Sequence, residues 1–272
     1  MTNDKWRLIP LLEAPGHIQM AIDLWLLEQH RNGLHPPTLR FYTWSPPAIS
    51  LGYHQRRWPE FWQNLTWQGK AIELVRRPTG GRAVLHQGDL TYAVITSGLT
   101  GSRIQVYQKI CQFLIVGWRS LGIELHYGDA ERGYIHNPNC FGTATGADLV
   151  TSENTKLIGS AQLCRGNAIL QHGSMRLDPD DALFTRVFST ASSFKVEPPV
   201  IKCKETSIEK IVDALTTSFE LCFGTQAILQ PLSETEWQAI LAQPILEIVP
   251  PHRVVLSCKP EIVVDSRKHP DT

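Results

Sequence analysis

Residues Val75–Ile95 read VRRPTGGRAVLHQGDLTYAVI. A strand-like run ends in two arginines, a proline and a glycine pair break it, and Arg82–His86 resumes it. Gln87-Gly88-Asp89 turns the chain again before another apolar run. The strands of this stretch form an antiparallel-looking group. Outward from this stretch the pattern holds. TLRFYTW (38–44) and PAISLGY (47–53) read as strands joined at Ser45-Pro46-Pro47, and AIELVRR (71–77) as a third. ADLVTS (147–152), KLIGSAQLC (156–164) and AILQHGSMRL (168–177) add three more, with His172-Gly173-Ser174 expected to interrupt the last. Apolar residues at helical spacing mark helices at 16–33, 102–122 and 207–224. Ser207 is a cap for the third, and a Ser233–Glu236 capping box opens a further helix at 233–243. Grouped strands with helices between them, without a regular βαβ alternation, predict an α+β fold with mixed or antiparallel sheets and packed helices. The main unit spans 1–245, and the proline-containing, polar segment 246–272 reads as a partly flexible tail.

The chain has 272 residues, 42% hydrophobic and 19% charged, and can bury a substantial core. Its 26 Lys+Arg balance 26 Asp+Glu, so no overall field draws it to nucleic acid or to an anionic membrane. No apolar run approaches the roughly 20 residues that span a bilayer, and residues 1–17 lack a signal-peptide core. The six cysteines are scattered without a C-x-x-C pair and read as reduced thiols. A cytoplasmic monomer is expected.

Three places carry candidate chemistry. Gly80-Gly81 permits positive φ and close backbone approach, and Arg76 and Arg77 offer guanidinium forks to a phosphate or carboxylate. A hairpin turn with solvated arginines explains the spacing equally well. No P-loop pattern is present. Cys140 lies in HNPNCFGTATG, a polar, glycine-containing loop where a buried structural thiol is less expected. Cys111 and Cys222 fall within apolar helix patterns and read as core, and Cys164 closes a strand. A thiolate can attack a thioester and hold the acyl group, given a cation to lower its pKa. Lys156 starts a strand, with Gly159, Ser160 and Ala161 as small residues able to line a slot. The ordinary readings are a solvated strand-start charge for Lys156 and a satisfied sheet histidine for His172. No metal-ligand spacing occurs.

Together, PTLRFYTWSPPAISLGYHQ, VRRPTGGRAVLHQGDLTYAV, NCFGTATGADL and KLIGSAQLCRGNAILQHGS resemble the lipoate-protein ligase A/octanoyltransferase family, whose catalytic domain is shared with biotin-protein ligases. The likeness runs from about Trp6 to Phe223. It implies that residues 1–245 form that catalytic domain, with its core at about 33–223. Cys140-Phe141 and Lys156 fall on the positions of the octanoyltransferase branch that has a CF-loop cysteine. By that likeness Cys140 is the acyl-thioester nucleophile and Lys156 the cation that ionises it. Arg76, Arg77, Gly80, Gly81, Arg82, Ala83, Val84, Leu85 and His86 would frame the acyl site, with Gly159, Ser160, Ala161, His172 and Gly173 opposite. The resemblance implies octanoyl-acyl carrier protein as donor and a lipoyl-domain lysine (glycine cleavage H protein or a 2-oxoacid dehydrogenase E2) as acceptor, with no cofactor and no metal. The alternatives are an ATP- and magnesium-dependent lipoate ligase, an amidotransferase between lipoyl domains, and a non-catalytic acyl- or lipoyl-binding module.

Overall fold

The computed structural model describes residues 5–128, 148–188 and 206–244. The expected loop nucleophile Cys140 and the tail 246–272 lie outside them. The described chain runs β1 (Trp6–Ala14), α1 (Gly16–Arg31), β2 (Thr38–Trp44), β3 (Ala48–Leu51), a 3-10 turn (Glu60–Asn64), β4 (Thr66–Trp67), β5 (Lys70–Ala71), β6 (Glu73–Arg76), β7 (Val84–His86), β8 (Asp89–Ser97), α2 (Arg103–Ser120) and β9 (Leu125–Tyr127). It continues with β10 (Leu149–Thr151), β11 (Lys156–Arg165), β12 (Ala168–Arg176), α3 (Asp181–Phe188), α4 (Ile208–Phe223), β13 (Ala227–Leu229) and α5 (Glu234–Leu241).

An eight-stranded sheet has the order β13-β1-β2-β8-β12-β11-β10-β9, and a three-stranded sheet the order β6-β3-β7. In the large sheet β1 pairs parallel with β2 and β13 and the other pairs are antiparallel; in the small one β3 is parallel to β6. The sheets are therefore mixed, as expected for the α+β class. The chain crosses from the large sheet to the small one between β2 and β3, and within the stretch 75–95 it crosses back. β7 belongs to the small sheet and β8 to the large one, and the switch is made at Gln87-Gly88, with Gly88 at φ 65°. Gly88 also abuts the Asp178 carbonyl, and a Cβ there would lie 1.9 Å from that oxygen.

Every residue of β8 except Ser97 is buried, because the large sheet is covered on both faces. Leu90, Tyr92 and Val94 pack with α2 and α4 through Ile110, Phe113, Leu215 and Phe219. Ala93 and Ile95 face α1 through Ile22, Trp25 and Leu26. The small sheet builds a separate core in which Ile49, Leu51 and Leu85 meet Trp58, Trp62 and the α3 residues Leu183, Phe184 and Val187. Glu73 of β6 reaches across to cap α1, accepting the Gly16 N–H at 2.6 Å and the His17 N–H at 3.2 Å. This fixes the small sheet against the helix that covers the large one.

The expected Ser207 cap and Ser233–Glu236 capping box are both present. Two expectations are corrected. β12 runs unbroken through His172-Gly173-Ser174, because Gly173 is needed for packing: a Cβ there would lie 2.3 Å from Ser160 Oγ and 2.7 Å from Tyr92 Cε1. Cys222 is exposed rather than core, since the last turn of α4 faces a shallow groove beside Lys109 and Gln112.

Candidate active site

A cleft of about 660 Å³, counting the open space at its mouth, lies between the two sheets. Strand β11 contributes Lys156, Gly159, Ser160 and Ala161, and β12 contributes His172, Gly173 and Ser174. From the small-sheet side come Ser50, Arg77, Gly80, Gly81, Val84 and His86. Met20, Tyr42 and Trp44 supply most of the large apolar surface. Most of the site residues expected from the sequence thus share one cavity. Among the described residues that wall it, Arg76, Arg82, Ala83 and Leu85 are missing. Ala83 and Leu85 point into the small-sheet core, as the period-two alternation of an extended segment requires.

Lys156 reaches the cleft through an irregularity. The register of β10 on β11 shifts between Leu149, paired with Ile158, and Val150, paired with Lys156. Leu157 and Ile158 both pack in the α2 core, two successive residues on one face, which a regular strand cannot do. The bulge rotates Lys156 to the opposite face, where its ammonium lies 2.9 Å from Asp148 Oδ1 with both side chains almost wholly buried. A buried ammonium needs such a partner. Lys156 is therefore not a solvated strand-start charge. Asp148 sits in the quoted block NCFGTATGADL, yet nothing in its spacing marked it as the partner.

The two arginines diverge, because β6 ends at Arg76. Arg76 Nη1 donates to the carbonyls of Gly52, Tyr53 and Gln55 and holds that loop. Arg77 is buried, and its guanidinium is spent on its own turn. Nε and Nη2 donate to Gly80 O at 3.2 and 2.8 Å, Nη2 to Arg82 O at 2.7 Å, and Nη1 to Ser50 O and Oγ at 2.8 and 3.2 Å. Both guanidiniums thus hold backbone carbonyls around the turn, and of the two only Arg77 also lines the cleft. Gly81 takes φ 97°, and the tight backbone approach in this turn comes from Gly52, where a Cβ would lie 1.9 Å from Gly81 O. A Cβ at Gly80 would meet nothing within 4 Å.

Two aspartate–histidine–hydroxyl chains border the cleft. Asp23 Oδ2 accepts from His172 Nδ1 at 2.8 Å, and His172 Nε2 lies 2.6 Å from Thr79 Oγ1. Asp23 is further held by Arg40 Nη1 at 3.0 Å and the Tyr42 hydroxyl at 3.0 Å. The second chain joins Asp89 Oδ2 to His86 Nδ1 at 2.8 Å and His86 Nε2 to Ser50 Oγ at 2.8 Å. Burial lowers the His86 pKa, with the neighbouring Arg77 and His172 adding to this and Asp89 opposing it. Asp89, Asp23, Ser50 and Thr79 were not singled out from the sequence. The Asp23–His172 pairing joins α1 to β12 across 149 residues and has no local signal, whereas Asp89 lies only three residues from His86 and read as part of a turn.

Of the described thiols, Cys111 is buried in the α2 core, where burial pushes its pKa up to about 12, so it is poorly suited to act as a thiolate. Cys164 and Cys222 are exposed, and neither lines the cleft. Among the described residues no group of three or more His, Cys, Asp or Glu is arranged to hold a metal ion, and no helix is long and apolar enough to cross a membrane.

An α+β domain with a cleft between two sheets, walled by buried and paired ionisable side chains, fits an enzyme better than a surface-binding module. Residues 15–221 match the lipoyl protein ligase A/B catalytic domain. The chain belongs to that family, and it is an acyltransferase. It is 33% identical over 258 residues to octanoyltransferase LipM of Geobacillus kaustophilus (strain HTA426), covering 86% of this chain and 91% of the relative. It is 36% identical over 250 residues to the LipM of Carboxydothermus hydrogenoformans (strain ATCC BAA-161 / DSM 6008 / Z-2901), covering 86% and 92%. Its fold matches a crystal structure of lipoate-protein ligase A bound with ATP at TM-score 0.70 and 24% identity, covering 87% of this chain and 93% of that one. The structure of protein Ta0514 from T. acidophilum with bound lipoic acid matches at 0.69 and 24%, with the same coverage.

Proposed function

We propose that this acyltransferase is an octanoyltransferase that takes octanoyl from octanoyl-acyl carrier protein onto Cys140 and passes it to a lysine of a lipoyl domain. The observation that carries the reading is the buried Lys156 ammonium in the wall of a cleft that also presents the glycine turn and an apolar inner surface. Octanoyltransferase relatives at 33–37% identity support the choice of octanoyl over free lipoate.

An ammonium in low dielectric favours a neighbouring thiolate. The Cys140 thiolate attacks the donor's thioester carbonyl, forming one carbon–sulfur bond and breaking another, and Lys156 protonates the departing carrier thiolate. The acceptor amine then attacks the acyl-Cys140 carbonyl and expels the thiolate, leaving an amide. Splitting the transfer this way is nucleophilic catalysis with ping-pong kinetics. The thioester already carries the activation, so the reaction draws on neither ATP nor a metal.

The test is transfer to an apo lipoyl domain without nucleotide. The expected result is octanoylation from octanoyl-acyl carrier protein with no ATP or magnesium, abolished by Cys140→Ala. Lipoylation from free lipoate that requires ATP and survives Cys140→Ala would instead mark a ligase.

A further inference from the structure

The two half-reactions do not balance on Cys140 and Lys156 alone. In the first, the thiolate–ammonium pair gives its one proton to the carrier thiolate and Lys156 becomes neutral. In the second, the acceptor arrives as an ammonium ion. Lys156 takes one proton back and frees the amine, whose nitrogen then bonds to the carbonyl carbon. The carbon–sulfur bond breaks toward sulfur and restores the thiolate. The new amide nitrogen still has one proton to lose, and Lys156 is already charged. One proton per turnover therefore has to leave the Cys140–Lys156 pair for solvent, and the Asp148 carboxylate in the same cleft is already engaged by the Lys156 ammonium.

We propose that Ser50, His86 and Asp89 form the relay that removes this proton, a role that rests on the octanoyl-transfer reading above. Ser50 touches the reacting nitrogen, and His86 and Asp89 act through it. The hydrogen bonds set the direction of transfer. The Asp89 carboxylate only accepts, so His86 carries its proton on Nδ1 and leaves Nε2 bare. Arg77 Nη1 donates to Ser50 Oγ at 3.2 Å, so the Ser50 hydroxyl proton points to His86 Nε2 at 2.8 Å. A lone pair of Ser50 Oγ remains for a donor in the cleft, which both Ser50 and His86 line. As Ser50 Oγ takes the amide proton, its own passes to Nε2, and the Asp89 carboxylate faces the resulting imidazolium.

The surroundings hold that relay rigid. Asp89 Oδ2 also accepts from Ser174 Oγ at 2.6 Å and Thr91 Oγ1 at 3.3 Å, and Trp44 stacks on the His86 ring at 3.7 Å. The charged and titratable groups facing it are Asp89, Arg77 and His172, with Arg176 near Asp89. Burial lowers the His86 pKa, so the imidazolium gives its proton up readily. The other chain, Asp23–His172–Thr79, suits this task less well. Thr79 does not line the cleft, and it ties the glycine turn to α1.

The test compares two nucleophiles on one acyl-enzyme. Full-length protein is loaded from octanoyl-acyl carrier protein, freed of carrier, and discharged either by an apo lipoyl domain or by hydroxylamine. Hydroxylamine is largely unprotonated at neutral pH, so its attack releases only the proton that Lys156 can hold. In His86→Gln and in Ser50→Ala the ratio of lysine-driven to hydroxylamine-driven discharge should fall by about 10²-fold, the usual scale of general-base catalysis. Ser50→Ala keeps the imidazole–carboxylate pair and carries the test if His86→Gln fails to fold. A ratio unchanged in Ser50→Ala overturns the relay, and so does octanoyl label on Ser50 itself. Wild-type protein that never loads overturns the transfer reading and the relay together, and is recognised because no ratio exists to compare.

Discussion

Lys156 shows how one side chain can set the chemistry of a cleft. Its ammonium is buried 2.9 Å from the Asp148 carboxylate, and removal of one partner of a buried pair leaves an uncompensated charge. Asp148→Asn is therefore expected to destabilise the fold by about 3 kcal/mol, read from the midpoint of chemical denaturation. Lys156→Met strands the Asp148 carboxylate and should destabilise the fold likewise, and it should act on Cys140 as well. Loss of a nearby positive charge disfavours the thiolate, so the thiol pKa from the pH dependence of alkylation should rise by about 1–3 units. An unchanged alkylation profile would separate Lys156 from Cys140. The lysine was marked by the family resemblance, while its residues alone read equally as a solvated strand-start charge. Its partner was not, because Asp148 is made important only by the pairing of β10 with β11.

At the scale of elements, the bulge at Leu157–Ile158 decides where that ammonium goes, and bulges commonly re-aim side chains beside active sites. The period-two reading could not find it, because both residues are apolar and either face of the large sheet would accept them. β1 was missed for a related reason. Its sequence WRLIPLLEA contains Pro10, which argues against a paired strand, and the structure accommodates it where the register on β2 shifts between Ile9 and Leu12. Helix α3 was too short, at eight residues, to show a period. The glycine turn was legible as a turn, but not the use of its arginines, since a guanidinium reads alike whether it meets a ligand or a carbonyl. Gly52 is the tightest point of this element. Gly52→Ala drives a Cβ against the Gly81 carbonyl, which should cost about 1–3 kcal/mol and weaken donor binding by shifting the turn. Wild-type KM for the donor in Gly52→Ala would show that the turn does not frame the substrate.

The molecule as a whole is held by contacts far apart in sequence. β1 and α5 are clamped by Arg7, whose Nη1 and Nη2 donate to Glu236 at 2.6 and 2.9 Å, while Glu236 also accepts the Ser233 N–H at 2.6 Å. Burial works to raise the Glu236 pKa, but the Arg7 and Ser233 hydrogen bonds and the Arg7 charge outweigh it and hold the carboxyl at about 2. A carboxylate depressed in the folded state stabilises above its unfolded value of about 4.3, and that contribution fades as pH falls toward the folded value. Glu236→Gln should thus destabilise by about 1–3 kcal/mol at neutral pH, with the difference closing between roughly pH 4 and pH 2. A gap in urea-unfolding stability that stays constant across that range would rule out the clamp as an acid-sensitive contact. The fold class was readable at this scale because strand runs and helix caps are local. The division into two sheets was not, because it depends on Gln87-Gly88 carrying the chain from one sheet to the other.

The central claim is a covalent acyl group on one thiol, and peptide mass analysis tests it most directly. Full-length protein is mixed with octanoyl-acyl carrier protein, without acceptor, and digested. The expected product carries one added octanoyl group, on the peptide that contains Cys140, lost on hydroxylamine treatment and absent in Cys140→Ala. Octanoyl on Cys164 or Cys111, or an unmodified protein that still octanoylates a lipoyl domain, would contradict it.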